Sequence, residues 1–268
     1  MYEARKLPIA IAVALALTGG SAATHAQTVS AGLEEVVVTA RKREESVQDV
    51  PVHVTAYSAE QIRRKDLTSL EKLAATTPNF NVGRTSNGSG ARITMRGIGS
   101  TPSSIGIEQS VAVIVDNVYY GQGRVINEGF FDLQGVEILK GPQALFFGKN
   151  ATAGAVSLTT ASPGEETELK LRASYEFEAE TTQVEAVYSS PLSDTVGLRI
   201  AVRASAMDGG YYNNEMYDFV YPRLDIATGA LNIYEPDSFS DEQPQEDQLL
   251  ARVTLQWTPS DTTTANLK

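Results

Sequence analysis

The chain has 268 residues, with 33 acidic and 22 basic side chains and a formal net charge of -11. That balance excludes nucleic-acid binding through counterion release, which needs a surplus of lysine and arginine. There is no cysteine and there are two histidines, His25 and His53, so disulfides, thiol catalysis and thiolate metal sites are excluded and a histidine-based metal site or a Ser-His-Asp triad has at most one candidate in the mature chain.

Residues 1–26 read as a secretory signal peptide. Arg5 and Lys6 precede an apolar run from Leu7 to Leu17, and small residues lead to Ala26. The run is too short to span a bilayer, and cleavage is expected after Ala26, leaving a net charge of -12. No later stretch reaches 18 uncharged apolar residues, so an exported chain is periplasmic, secreted, or inserted in the outer membrane as strands.

Residues 27–50 read as a flexible N-terminus containing LEEVVVTARKREESVQDVP. Valine runs belong in sheets, yet nothing before this one offers a partner. The expectation is an unpaired β-prone segment, kept soluble by RKREES and free to add to the sheet edge of another protein.

Residues 51–163 are expected to form one compact domain mixing helices and strands. VPVHVTAYS reads as a strand, and Ser58 with Gln61 has capping-box spacing at the start of a helix. Thr68 with Glu71 repeats that spacing, and Leu70, Leu73 and Ala74 make an apolar stripe that stops at Pro78. NFNVGRT, ARITMRGIGS, SVAVIVDNVYYG, GVEILKGP and AVSLTTASP follow as β-branched runs cut by glycine and asparagine.

This stretch carries no candidate for enzyme chemistry. Gly141 and Gly148 are separated by six residues and Asn150 follows Lys149, whereas a phosphate loop needs four and a Ser or Thr. No paired-carboxylate or nucleophile-elbow pattern is present, and no metal or cofactor is expected.

Past Pro163 the texture changes to period two. ELKLRASYEFE alternates Leu169, Leu171, Ala173, Tyr175 and Phe177 with polar partners, over the length of a membrane-spanning strand. QVEAVYSS continues after the link EAETT, TVGLRIAVRASAM follows the turn PLSD, and LLARVTLQWTPSD precedes TTANLK. A soluble β-sandwich alternates in the same way. The leader, the short turns at PLSD and TPSD, and the one long segment at 208–247 together favour an outer-membrane barrel, whose turns are short on the periplasmic side and long outside.

That long segment holds ten acidic residues against one base, Arg223, a net -9. Tyr211, Tyr212, Tyr217, Phe219, Tyr221, Tyr234 and Phe239 lie within it. One reading is a solvated external loop bridged by divalent ions; the other is a surface for a sugar or a cationic or metal-bearing ligand. Only 105 residues follow Pro163, whereas eight barrel strands need roughly 80 residues and a plugged barrel of 22 more than 200. The sequence is therefore expected to be partial, with residues 164–268 supplying the first strands of a transmembrane β-barrel.

Taken in order, LEEVVVTARKREESVQDVPV, ITMRGIG, VAVIVDNVYYG and GVEILKGPQALFFGKNATAGAVSLTT resemble the N-terminal part of TonB-dependent outer-membrane receptors. The resemblance implies an α+β plug domain followed by the first antiparallel strands of an outer-membrane β-barrel, here an incomplete one. It also implies active transport of a scarce ligand, such as an iron-siderophore complex, cobalamin, haem or an oligosaccharide. TonB of the inner-membrane TonB-ExbB-ExbD complex and outer-membrane lipid are the implied partners. A ligand-sensing signalling receptor and a soluble periplasmic plug-like module are the alternatives; the six residues between Ala26 and Leu33 leave no room for the extra domain of a transducer.

The implied TonB box is Glu34, Glu35, Val36, Val37, Val38 and Thr39. Arg96 and Lys140 stand where the family places plug cations that face barrel carboxylates, with Lys140 in place of the more usual arginine. Gly97, Gly141 and Pro142 complete those motifs, Gly148 and Gly154 are expected at tight turns, and Asp116-Asn117 takes the place of a hairpin Asp-Gly. Ligand is expected to meet the plug around residues 84–107 and 119–128.

Overall fold

A computed structural model of the chain describes residues 37–38, 45–46, 52–84, 91–100, 108–121, 130–213, 221–234, 242–243, 246–260 and 262–268. The expected signal peptide lies outside them. The chain divides into two compact units, with the boundary between Ser162 and Pro163.

Two of the three N-terminal valines, Val37 and Val38, are already paired. β1 (Val37–Val38) and β2 (Glu45–Ser46) form an antiparallel ladder, Val37 opposite Ser46 and Val38 opposite Glu45. This corrects the expectation of an unpaired segment, because the end of the charged run that was to keep the valines free is itself their neighbour.

In the first unit, β3 (His53–Ser58) leads through two short helices, α1 (Ala59–Arg64) and α2 (Leu70–Thr76). Ser58 and Gln61 close the expected capping box, each side chain bonded to the other's backbone N–H. The second cap differs from expectation. Ser69, one residue on, accepts from Lys72 N–H, while Thr68 donates to the Asp66 carbonyl. Ser69 has the extended backbone that an N-cap requires, and so it takes the position.

β4 (Phe80–Arg84), β5 (Ala91–Met95) and β6 (Ile98–Gly99) make a small antiparallel sheet. β7 (Val111–Val115), β8 (Val118–Tyr120), β9 (Leu133–Lys140), α3 (Ala144–Phe147) and β10 (Gly154–Thr160) follow. The main sheet has the order β3-β9-β10-β7-β8, with β10 parallel to β7 and the other pairs antiparallel. Its interior strands are covered on both faces, which explains why VAVIV is continuously apolar. One face packs with Ile62, Leu70, Leu73, Phe80, Ile93 and Met95, and the other is a smaller cluster around Ile114, Leu139 and Ala155.

In the second unit, β11 (Glu168–Glu176), β12 (Thr181–Ser193), β13 (Val196–Met207), β18 (Glu246–Ser260) and β19 (Thr263–Leu267) form one open antiparallel sheet in chain order. β12 runs through Pro191 and Ser193 with a register irregularity, so the expected turn PLSD narrows to Asp194 and Thr195. The bulge is where a sheet tolerates proline. Between β13 and β18 the long segment has its own structure. β14 (Tyr212–Asn213) pairs with β17 (Glu242–Gln243), and β15 (Tyr221–Leu224) forms a hairpin with β16 (Leu231–Tyr234).

Candidate functional site

Two tight turns of the first unit bring the expected plug cations together. Between β5 and β6, Arg96 and Gly97 both have positive φ, 52° and 81°, the signature of a two-residue hairpin turn. Arginine rarely adopts this conformation; here its N–H is fixed by the Asn79 carbonyl at 2.8 Å. At the end of β9, Lys140 is only 5% exposed, and Gly141 turns the chain with φ 107° while its N–H bonds to the Ala153 carbonyl. The Arg96 guanidinium lies over this glycine, 3.5 Å from where a Cβ would stand. Pro142 is exposed beside it.

Burial pushes the Lys140 ammonium below the usual lysine range; the Tyr57 hydroxyl opposes the shift and the Arg96 charge adds to it. Among the described residues neither Arg96 nor Lys140 has a carboxylate in ion-pairing reach. Two like charges held side by side on rigid turns form a cationic spot suited to an acidic partner.

The two glycines expected at turns divide. Gly148 follows α3 with φ 74° and open space around it, a turn position. Gly154 instead opens β10, where a Cβ would stand 2.2 Å from Met95 Sδ and 2.4 Å from the Leu139 carbonyl oxygen. Glycine is required there by close packing of strand on strand, which corrects the turn reading. Asp116 and Asn117 make the expected hairpin, with φ 48° and 67°. Asp116 also accepts from the Thr160 N–H at 2.9 Å and its hydroxyl at 2.7 Å, tying the hairpin to β10.

Sequence reasoning set Lys149 aside with the rejected phosphate loop. The structure pairs it with Glu108 at 2.9 Å, and Asn150 bonds to both Glu108 and the Tyr119 hydroxyl. The Lys149 and Asn150 side chains hold the Glu108 carboxyl below its ordinary range. No spacing rule predicts such a cluster, because its members lie on three separated segments. Of the expected ligand-meeting stretches, residues 85–90, 101–107 and 122–128 lie outside the described residues, as do Glu34, Glu35, Val36 and Thr39 of the box.

The second unit is built inside out. Leu169, Leu171, Tyr188, Ile200, Val202, Val253, Leu255, Trp257 and Leu267 share one face of the sheet by register, and all of them are exposed. Leu169 is 66% and Trp257 53% accessible. On the opposite face Ser189, Arg199, Arg203 and Thr254 are buried, Thr254 to 1%. Each large apolar side chain left in water forgoes roughly 1.5–3 kcal/mol relative to burial. A water-soluble sandwich has the opposite polarity, polar outward and apolar inward.

Residues 46–155 match the family described as TonB-dependent Receptor Plug Domain. The chain is 30% identical over 143 residues to the pesticin receptor of Yersinia pestis, a match that covers 53% of this chain and 21% of that protein. It is 29% identical over 161 residues to the hemin receptor of Yersinia enterocolitica, covering 58% and 22%. Among solved structures, the ferric yersiniabactin uptake receptor FyuA from Yersinia pestis is similar with a TM-score of 0.59 at 22% identity, over 78% of this chain and 29% of that one. The chain thus spans about a fifth of the length of these curated relatives. Its plug sheet and these matches agree: residues 46–155 are a TonB-dependent receptor plug domain, followed by a strand sheet that shares its fold with the solved receptor.

Proposed function

We propose that the chain is part of an outer-membrane transporter, with residues 51–163 as plug and 164–268 as barrel wall, that takes up a scarce ligand by TonB-dependent active transport. The observation that carries this reading is the inverted sheet. An exposed apolar face and a buried polar one are what a barrel wall needs, lipid outside and a polar interior within. Trp257 near one end of that face and Tyr175 near the other, both exposed, suit the aromatic girdles at the two interfaces. The soluble-module reading leaves this face in water.

In this proposal Arg96 and Lys140 seat the plug against carboxylates of the barrel. Lysine at 140 gives a point charge without the two-pronged geometry of a guanidinium, and so a looser seat. Glu34 to Thr39 form the TonB box, and TonB adds as a strand to β1. The names of the relatives, a hemin receptor and a ferric yersiniabactin uptake receptor, support an iron-bearing ligand among the candidates of siderophore complex, haem, cobalamin and oligosaccharide.

The test is a Val37→Pro substitution, which removes a backbone donor and kinks the strand. Uptake of radiolabelled iron chelates and haem by cells carrying the receptor should be abolished while surface binding of the ligand stays intact. Normal uptake by the Val37→Pro receptor would overturn the reading.

A further inference from the structure

The chain passes from the first unit to the second through a short linker that is fastened on both sides. In the plug, the Thr160 N–H and hydroxyl bond to Asp116, and the Ala161 N–H donates to the Asp132 carbonyl at 3.0 Å. In the second unit, the Gly164 N–H donates to the Ser189 hydroxyl at 3.0 Å, and the hydroxyls of Thr167 and Ser190 are bonded at 2.8 Å. Ser162 and Pro163 are the two residues between the Ala161 and Gly164 bonds. Ser189 pairs with Arg199, and Gly197 stands two residues before Arg199, so Ser189 and Gly197 are diagonal neighbours on the buried polar face of the sheet. A Cβ at Gly197 would stand 2.7 Å from Pro163 Cβ. Gly197 has no positive φ, so no turn asks for glycine; the missing side chain is a notch that receives the proline ring.

We propose that Ser189 and Gly197 are positioning residues that pin the linker to the barrel wall, so that a pull applied at β1 is resisted at Pro163. The inference rests on the transport reading. A pull of limited stroke works on the plug only if the far end of the plug is held, because every ångström that this end yields is taken from the stroke. A linker free to peel away would let out residues 163–167, roughly 17 Å of extended chain at about 3.3–3.6 Å per residue, before β11 took the load. Two features oppose peeling. Pro163 has a fixed φ and restricts Ser162 before it, which stiffens the joint. Ser189 is 1% exposed, so water does not compete for its bond to Gly164.

The test is uptake of radiolabelled ferric chelates and haem by cells carrying the full-length receptor, with surface binding measured in parallel. Ser189→Ala/Gly197→Val removes the acceptor and fills the notch, and valine suits a strand, so the sheet keeps its pairing. The maximal uptake rate should fall at least about fivefold, the factor that one lost hydrogen bond gives, while the Kd of surface binding and the amount of receptor in the membrane stay unchanged. A merely structural defect does not produce that split. A second receptor carries Gly164→Cys/Ser189→Cys. The chain has no cysteine of its own, and a Cβ at Gly164 stands 4.0 Å from Ser189 Oγ, near enough for a disulfide. With the disulfide formed, uptake should equal that of the wild type, and reduction with dithiothreitol should lower it. Wild-type uptake by Ser189→Ala/Gly197→Val overturns the proposal. So does a disulfide that blocks uptake until it is reduced, because the linker would then have to leave the wall. If Ser189→Ala/Gly197→Val fails to reach the membrane, the cross-linked receptor decides alone. Either adverse result with Val37-dependent uptake intact refutes only the anchor, whereas uptake that ignores Val37→Pro refutes the transport reading.

Discussion

The two units handle the same alternating strand in opposite ways. In the plug, Phe80, Ile93, Ile138 and Leu158 are enclosed, and the lysines and glutamates of the helices face water. In the strand unit, Leu169, Val253 and Trp257 are displayed while Arg199, Arg203 and Thr254 are covered. Both patterns come from side chains pointing alternately to the two faces of a sheet. The pattern says that two faces differ, and the surrounding medium decides which one is turned inward. The two units therefore turn opposite kinds of side chain outward.

The sharpest way to break the contrast is to cut large apolar side chains in each unit. Phe80→Ala in the plug should cost about 3–5 kcal/mol, read by urea denaturation of the plug signal. Leu169→Ala, at a position already exposed, should leave the water-soluble stability almost unchanged.

A charge placed on the outer face probes the medium directly. Ile200→Arg should destabilise the strand unit by about 2–4 kcal/mol when the receptor is folded into lipid vesicles, if that face meets the bilayer midplane. The same substitution on a water-facing sheet would stay within about 0.5 kcal/mol. Urea titration of vesicle-folded protein distinguishes the two, and a neutral result would make the strand unit resemble the plug's polar surface.

Within the plug, Ser69→Ala should lose about 1 kcal/mol through the cap of α2, whereas Thr68→Ala should lose less than about 0.5 kcal/mol. Thermal melts of the two variants decide which residue holds the helix end. The smallest effect concerns Lys140. Its folded-state pKa is lowered mainly by burial, so the unfolded chain binds the extra proton, and plug stability should rise with pH between the lowered value and the ordinary lysine range. Lys140→Gln should flatten that alkaline rise in denaturation midpoints, while substitution of the exposed Lys65 should leave it in place.

Much of this architecture is legible in the sequence because it is local. The Ser58–Gln61 box, the Leu70–Leu73 stripe and the Asp116-Asn117 hairpin each depend on neighbours within a few positions, and each forms as read. Where two adjacent residues can fill one role, as Thr68 and Ser69 can, backbone conformation decides and the spacing does not. Non-local features escape. Nothing in AVSLTT announces that β10 lies parallel to β7, and nothing in the valine run announces Ser46 as its partner. The Arg96–Lys140 pairing was visible only as two separate motifs; the turn geometry that puts the guanidinium over Gly141 is a tertiary fact. The hairpin within the acidic segment was hidden by composition, since charge and tyrosine draw the eye away from the four alternating apolar positions of β15 and β16.

The strand order of the plug has a kinetic side. Among the described residues β3 pairs only with β9, about 80 residues further along the chain, and β7 finds β10 about 40 residues on. By contrast β11, β12 and β13 are sequential hairpins. Closing long loops before any contact rewards them makes a chain slow to fold. The plug therefore has no stable half: its first strand stays unsettled until the chain has been made through residue 140 and its central sheet is complete only near residue 160.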